Sequence, residues 1–289
     1  MNKYLDDIEK YLEQLMPDEN CCEENVVKAI RYSVLAEGKR VRPTLVLAFC
    51  EAFGGDVEAA LPYACAIEMI HAYSLIHDDL PCMDNDDLRR GRPSNHKVFG
   101  EDIALLAGDA LQSLAFESML SPSALEKTGS NGARAAHILA CECGVHGMVG
   151  GQVIDLETEG KDPSVEIISE MYSKKTGALI RAACTMGAVL AGADNRAVSL
   201  ARTYAENIGL AFQIVDDILD IESDTQTLGK PVGSDAENEK VNYVTKVGVD
   251  SGRELVEKLT SNALKVLDEI SADTDFLRDF AVSLSHRLK

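Results

Sequence analysis

The chain has 289 residues, of which 46% are hydrophobic and 5% aromatic, with no tryptophan. Against 28 Lys and Arg stand 48 Asp and Glu, a formal net charge of −20. So acidic a chain repels nucleic-acid phosphates and anionic membrane faces, and its apolar content excludes general disorder.

The start, Met1 to Lys10, is charged and amphipathic and has no apolar signal-peptide core, so the expected location is cytoplasmic. Asn25 to Glu37 predicts a helix that stops at Gly38. Pro43 opens another, to about Phe53, closed by Gly54-Gly55. A third runs from near Val57 to the Asp78 region, with an interruption expected around Pro62. Later helices cover Glu101 to Leu120, Asn131 to Val149, Val165 to Leu190 and Arg196 to Ile221. Gly252 to Ile270 and Asp275 to His286 complete the set. Two charged, Gly- and Pro-bearing stretches, Asp84 to Gly100 and Ser223 to Asn242, read as functional loops. The expectation is one all-α domain over 1–289. The most apolar stretch, Ala182 to Ala193, is too short to span a bilayer. The eight cysteines, at 21, 22, 50, 65, 82, 141, 143 and 184, read as reduced. His137, Cys141, Cys143 and His146 resemble a zinc set, but helical angles of about 0°, 40°, 240° and 180° keep them from converging.

Three constellations carry chemistry. In the first, Asp78, Asp79 and Asp84 follow the pattern DDxxxxD at a helix end. Carboxylates so close repel unless a hard cation such as Mg²⁺ joins them. A straight helix would put Asp84 about 240° from Asp78, off the face. Pro81 makes a straight helix untenable, and a bulge there would return Asp84. In the second, Gln213, Asp216, Asp217 and Asp220 share roughly 100° of one helical face between apolar residues. In the third, basic residues gather beside these: Lys39, Arg40 and Arg42; Arg89, Arg90 and Arg92; Lys175 with Thr176; and Lys230. Arginine pairs with phosphate through two N–H donors, and lysine acts as a point charge. Together they describe a Mg²⁺–diphosphate site with room for two anionic ligands.

The segments GKRVRP, DDLPCMDNDDLRRGRPS, GGQVIDLETEG, KKTGALI and QIVDDILD resemble those of the trans-isoprenyl diphosphate synthases, in that family's order. The resemblance implies an all-α bundle around a deep central cavity, the isoprenoid synthase fold, in a homodimer. It implies head-to-tail joining of isopentenyl diphosphate to an allylic diphosphate with Mg²⁺, three ions per site. Asp78 and Asp84 would hold Mg²⁺ on one side of the allylic diphosphate and Asp216 on the other, with Asp79, Asp217 and Asp220 completing or supporting the clusters. Arg89, Lys175, Lys230 and Lys240 would bind the allylic diphosphate. Lys39, Arg42, His71 and Arg90 would bind isopentenyl diphosphate. Thr176 and Gln213 would line the reacting end, with Gln152 and Asp155 behind them. The allylic C–O bond would ionise, the isopentenyl double bond would attack the cation, and the released diphosphate would take the lost proton.

Tyr73, five residues before Asp78, lies about 7.5 Å deeper along a helix. This aromatic, together with the two-residue insertion in DDxxxxD at Pro81-Cys82 or its neighbours, resembles the bacterial farnesyl type, with Tyr73 and Ser74 as the chain-length residues, so the expected product is C15, with C20 as the alternative. Helical angle alone sets Tyr73 about 140° from Asp78, so this role rests on the resemblance. A terpene cyclase would share the fold but use more aromatics. A non-catalytic partner subunit would lack motif residues that are intact here.

Overall fold

A computed structural model describes residues 3–227 and 241–286. Among them the backbone is almost all helix. In chain order these are α1 (Leu5–Leu15), α2 (Glu24–Val34), α3 (Val41–Ala52) and α4 (Val57–Asp78). A hairpin of two-residue strands follows, β1 (Leu88–Arg89) and β2 (Arg92–Pro93), then α5 (Asn95–Phe99), α6 (Glu101–Met119) and α7 (Pro122–Cys143). Then come α8 (Met148–Thr158), α9 (Val165–Lys175), α10 (Gly177–Leu190) and α11 (Asn195–Thr227). The last are α12 (Tyr243–Val247), α13 (Val249–Asp268) and α14 (Asp275–His286).

The chain divides into two compact units, 1–139 with 186–192, and 140–185 with 193–289. In the first, α4 is the central element and packs against α1, α2, α3 and α6. Asp56 caps it, its carboxylate accepting the Glu58 and Ala59 N–H groups at 2.9 and 3.2 Å. The expected interruption at Pro62 does not occur. The residues around it, Ala59 to Ala66, are buried, and this packing outweighs one lost backbone bond. Helix α4 is also long and apolar enough to cross a membrane by length and composition. However, 83% of its apolar window is buried inside the molecule, the setting of a core helix.

In the second unit α11 is central and packs on α9, α12, α13 and α14. Ile214, Val215 and Ile218 of α11 form a core with Val244 and Val256. Two expected helices are broken. Asn131 to Val149 divides because α7 ends at Cys143 and α8 starts only at Met148, after non-helical Gly147 (φ −118°, ψ −126°); Gly129 (φ 58°, ψ −138°) kinks α7 just before this run. A side chain at Gly147 would run into the Glu142 carbonyl. Val165 to Leu190 divides at Thr176, between α9 and α10. Cys50, Cys65, Cys143 and Cys184 are buried free thiols.

Candidate active site

In the first unit the C-terminal end of α4 presents the first aspartate cluster. Helical bonding stops at Asp78 and the chain curls back, with the Asp84 N–H donating to the Asp78 carbonyl at 2.8 Å. The Met83 and Asn85 N–H groups both reach the Leu80 carbonyl, at 2.9 and 3.1 Å. The turn thus brings the Asp84 backbone back to the end of α4. Asp79 is buried and held by Arg89, through Nε at 2.9 Å and through Nη2. Burial pushes its carboxyl above the usual range, and Arg89 pulls only partly back. Arg89 also donates to Asp86 at 3.0 Å.

Arg90 and Gly91 form the hairpin turn with φ of 53° and 74°. Positive φ at both central residues matches the twist of a tight hairpin. Arg90 Nη1 donates to the Ala36 and Glu37 carbonyls at 3.3 and 3.2 Å.

The GKRVRP segment separates its basic residues by role. Arg40 takes a left-handed conformation (φ 46°) and is buried. It donates to Glu9 at 2.7 Å, to Glu68 at 2.8 Å, and to the Val34 and Ala36 carbonyls at 2.9 Å. It therefore holds α1, α2 and α4 together and is no phosphate ligand, contrary to its grouping with Lys39 and Arg42. Lys39 is exposed, and Arg42 Nε is buried with no hydrogen-bond partner. Burial and Arg90 lower the Arg42 pKa, with Glu68 opposing. Burial and the arginines at 42, 90, 40 and 89 hold His71 well below the usual histidine range, so it is neutral at pH 7. An unpartnered guanidinium donor among other arginines fits an anionic ligand.

In the second unit a cleft of about 170 Å³ is lined by Asp155, Tyr172, Lys175, Thr176, Gln213, Asp217 and Asp220, among others. Gly151 makes it possible. A side chain there would collide with the Lys175 backbone, so only glycine lets α8 and α9 approach. Lys175 Nζ donates to Asp155 at 2.6 Å. The Thr176 hydroxyl donates to Gln213 Oε1 at 2.9 Å, and Gln213 Nε2 reaches Asp217 at 3.5 Å. The Tyr172 hydroxyl donates to Asp217 at 2.7 Å and accepts the Tyr243 N–H at 3.3 Å. Burial pushes the Asp217 carboxyl up to about 6, with Tyr172 and Gln213 opposing.

Each aspartate cluster thus has one buried member with side-chain partners, Asp79 or Asp217. Asp78, Asp84 and Asp216 are half-buried and Asp220 is exposed. Asp216 does not line the cleft. Among the described residues no three His, Cys, Asp or Glu side chains form a ready metal cage. The donors at both clusters are hard carboxylate oxygens, which suit Mg²⁺, an ion that keeps waters and binds phosphate oxygens. Lys230 and Lys240 lie outside the described residues. Tyr73 is buried, its ring edge-on to His77 at 5.6 Å, and the Ser74 hydroxyl is bonded to the His71 carbonyl at 2.9 Å. Sequence reasoning missed Glu68 and Tyr172. A lone carboxylate one turn before His71, and a tyrosine three residues before Lys175, were the available signals.

The family model for polyprenyl synthetases matches residues 23–273. The chain belongs to the polyprenyl synthetase family. It is therefore a prenyltransferase, and it has the all-α isoprenoid synthase fold that the resemblance implied. This polyprenyl synthetase is similar to the structure of an FPP/GFPP synthase from Zymomonas mobilis, with a TM-score of 0.87, 37% identity, and 97% and 95% of the two chains covered. It is also similar to a geranyltransferase from Legionella pneumophila, with a TM-score of 0.86, 34% identity, and 99% and 95% covered. The chloroplastic geranylgeranyl pyrophosphate synthase 7 of Arabidopsis thaliana is 49% identical over 82% of this chain and 68% of its own length. The chloroplastic geranylgeranyl pyrophosphate synthase of Catharanthus roseus is 47% identical over 85% and 69%.

Proposed function

We propose that this prenyltransferase condenses isopentenyl diphosphate with allylic diphosphates to give geranylgeranyl diphosphate, a C20 product. The observation that carries the reading is near-half identity, over more than four-fifths of the chain, to proteins named geranylgeranyl pyrophosphate synthases. This moves the expected product from C15 to C20. Tyr73, on which the C15 expectation rested, packs its ring on His77. The FPP/GFPP synthase and geranyltransferase structures keep C15 as the second reading. The family match runs through both units, which supports one catalytic domain. A homodimer belongs to the same reading and is checked by sedimentation.

The chemistry follows from the two assemblies. Asp78, Asp84 and Asp216 are the proposed Mg²⁺ ligands, and Asp79, Asp217 and Asp220 support them. When bound, Mg²⁺ supplies charge that stabilises a departing diphosphate. Arg89 and Lys175, each already oriented by a carboxylate, hold the allylic diphosphate, together with Lys230 and Lys240. Lys39, Arg42 and Arg90 hold isopentenyl diphosphate, and neutral His71 adds a hydrogen bond rather than a charge. The Thr176 O–H is committed to Gln213, so its oxygen presents lone pairs toward a developing allylic cation. The released diphosphate accepts the proton.

The test is a product assay. Purified protein is incubated with labelled isopentenyl diphosphate, dimethylallyl diphosphate and Mg²⁺, and the dephosphorylated alcohols are separated by length. Mainly C20 supports the proposal and mainly C15 restores the farnesyl reading, whereas no condensation points to a partner subunit. In Tyr73→Ala, a shift to products longer than C20 would make Tyr73 the floor of a C20 pocket.

A further inference from the structure

Arg89 and Arg90 stand on a hairpin whose strands are two residues long, too short to fix its own position. Helix α2 is its dock. Tyr32 of α2 lies under the Arg92 guanidinium, 4.1 Å from ring centroid to carbon, and donates its hydroxyl to the Pro93 carbonyl at 2.8 Å. Phe99 closes edge-on against the same ring at 5.5 Å. Just past β2, buried Asn95 donates Nδ2 to the Ala29 carbonyl and the Ser33 hydroxyl, both at 2.8 Å and both on α2. Arg90 then reaches the carbonyls of Ala36 and Glu37, which follow the end of α2. Those carbonyls have no helical partner, and the guanidinium supplies one.

Arg89 is anchored differently. Its partners are Asp79, at the end of α4, and Asp86, on its own loop. One hairpin therefore carries two arginines that depend on two different elements.

We propose that Tyr32 is a positioning residue for isopentenyl diphosphate. It clamps β2 through Arg92 and Pro93 and so aims Arg90, while Arg89 keeps its place through Asp79. The inference rests on the reading above that Arg90 binds isopentenyl diphosphate.

Steady-state kinetics of the full chain with Mg²⁺ test it, varying isopentenyl and allylic diphosphate separately. Tyr32→Leu should raise KM for isopentenyl diphosphate about five- to tenfold, the scale of a cation–π contact plus a hydrogen bond, and Arg92→Leu, which keeps the hydrogen bond, about two- to fourfold. Both should leave kcat and the allylic KM within about twofold. Tyr32→Phe keeps the ring under Arg92 and should show a smaller rise, about two- to threefold. The Tyr32→Leu, Arg92→Leu double variant should be no worse than the poorer single one, because both remove the same contact. Arg90→Gln is measured alongside. If it leaves the isopentenyl KM unchanged, the reading of Arg90 fails. If it raises that KM while Arg92→Leu and Tyr32→Phe do not, the role of Tyr32 is overturned. An equal rise in both KM values would also overturn it, since the hairpin would then move as one piece. Should Tyr32→Leu not fold, Arg92→Leu and Tyr32→Phe decide the matter.

Discussion

His71 shows what its neighbours do to a single residue. In the unfolded chain it titrates near 6.5, and in the folded chain burial and arginines hold it well below that. Above pH 6.5 it is neutral in both states. As pH falls below 6.5 the unfolded chain takes up a proton that the folded chain refuses, so stability is lost on acidification. His71→Gln should lose less stability than the wild type between pH 7 and 5, by on the order of 1 kcal/mol, read by urea denaturation at each pH. Asp155 aims the Lys175 side chain through a hydrogen bond. Asp155→Asn should lower kcat/KM for the allylic substrate about tenfold with little change in melting temperature. Asp78→Ala and Asp216→Ala should each lower turnover by orders of magnitude while circular dichroism stays that of the wild type; near-normal turnover in both would remove the metal assignment. Spacing in the sequence marked the aspartates and most of the cations as candidates. The division of labour within each group was not. Nothing in GKRVRP marks Arg40 as buried, because its partners Glu9 and Glu68 are distant in sequence and meet it only after folding.

Most of the long helices were legible at the scale of elements, because apolar spacing records which face is buried; α1 was read only as a charged, amphipathic start, and α5 lies in a stretch read as loop. Helix breaks were less so. The run from Val165 to Leu190 reads as continuous, yet it divides at Thr176. The division turns the end of α9 and the start of α10 so that Lys175 meets Asp155 and Thr176 meets Gln213. The signals were there, two lysines in a last turn followed by Gly177, and the apolar run beyond masked them. Helix α8 was missed because its glycines lower local propensity, and its packing on α9 overrides that cost. Gly151→Ala tests this directly. The added methyl has only backbone to push against, so the variant should lose about 1–3 kcal/mol, or several degrees of melting temperature.

Charge and cation dependence are properties of the whole molecule. Its net charge of −20 coexists with local basic clusters, so sign alone does not describe what it binds. The buried members of each aspartate group already have protein partners, Arg89 for Asp79, and Tyr172 with Gln213 for Asp217. The fold therefore does not need a metal to neutralise them. Chelation with EDTA should abolish turnover, and added Mg²⁺ should restore it, while the helical circular dichroism signal and the melting temperature hold nearly constant. A melt that collapses on chelation would make the ion structural instead. Fold class was legible from composition and periodicity alone. Product length was not, because one residue's place on a helix does not report how a buried side chain such as Tyr73 packs.

The turn at Arg90 and Gly91 carries a conflict with a practical outcome. A positive φ is easier for asparagine or glycine than for arginine, whose side chain is proposed here to bind isopentenyl diphosphate. On that reading, a library screened only for survival of heating should drift at position 90 toward asparagine or glycine and enrich clones with a raised KM for isopentenyl diphosphate. The same library screened for prenyl product should keep arginine. Thermal selection of this enzyme therefore needs an activity gate at that codon.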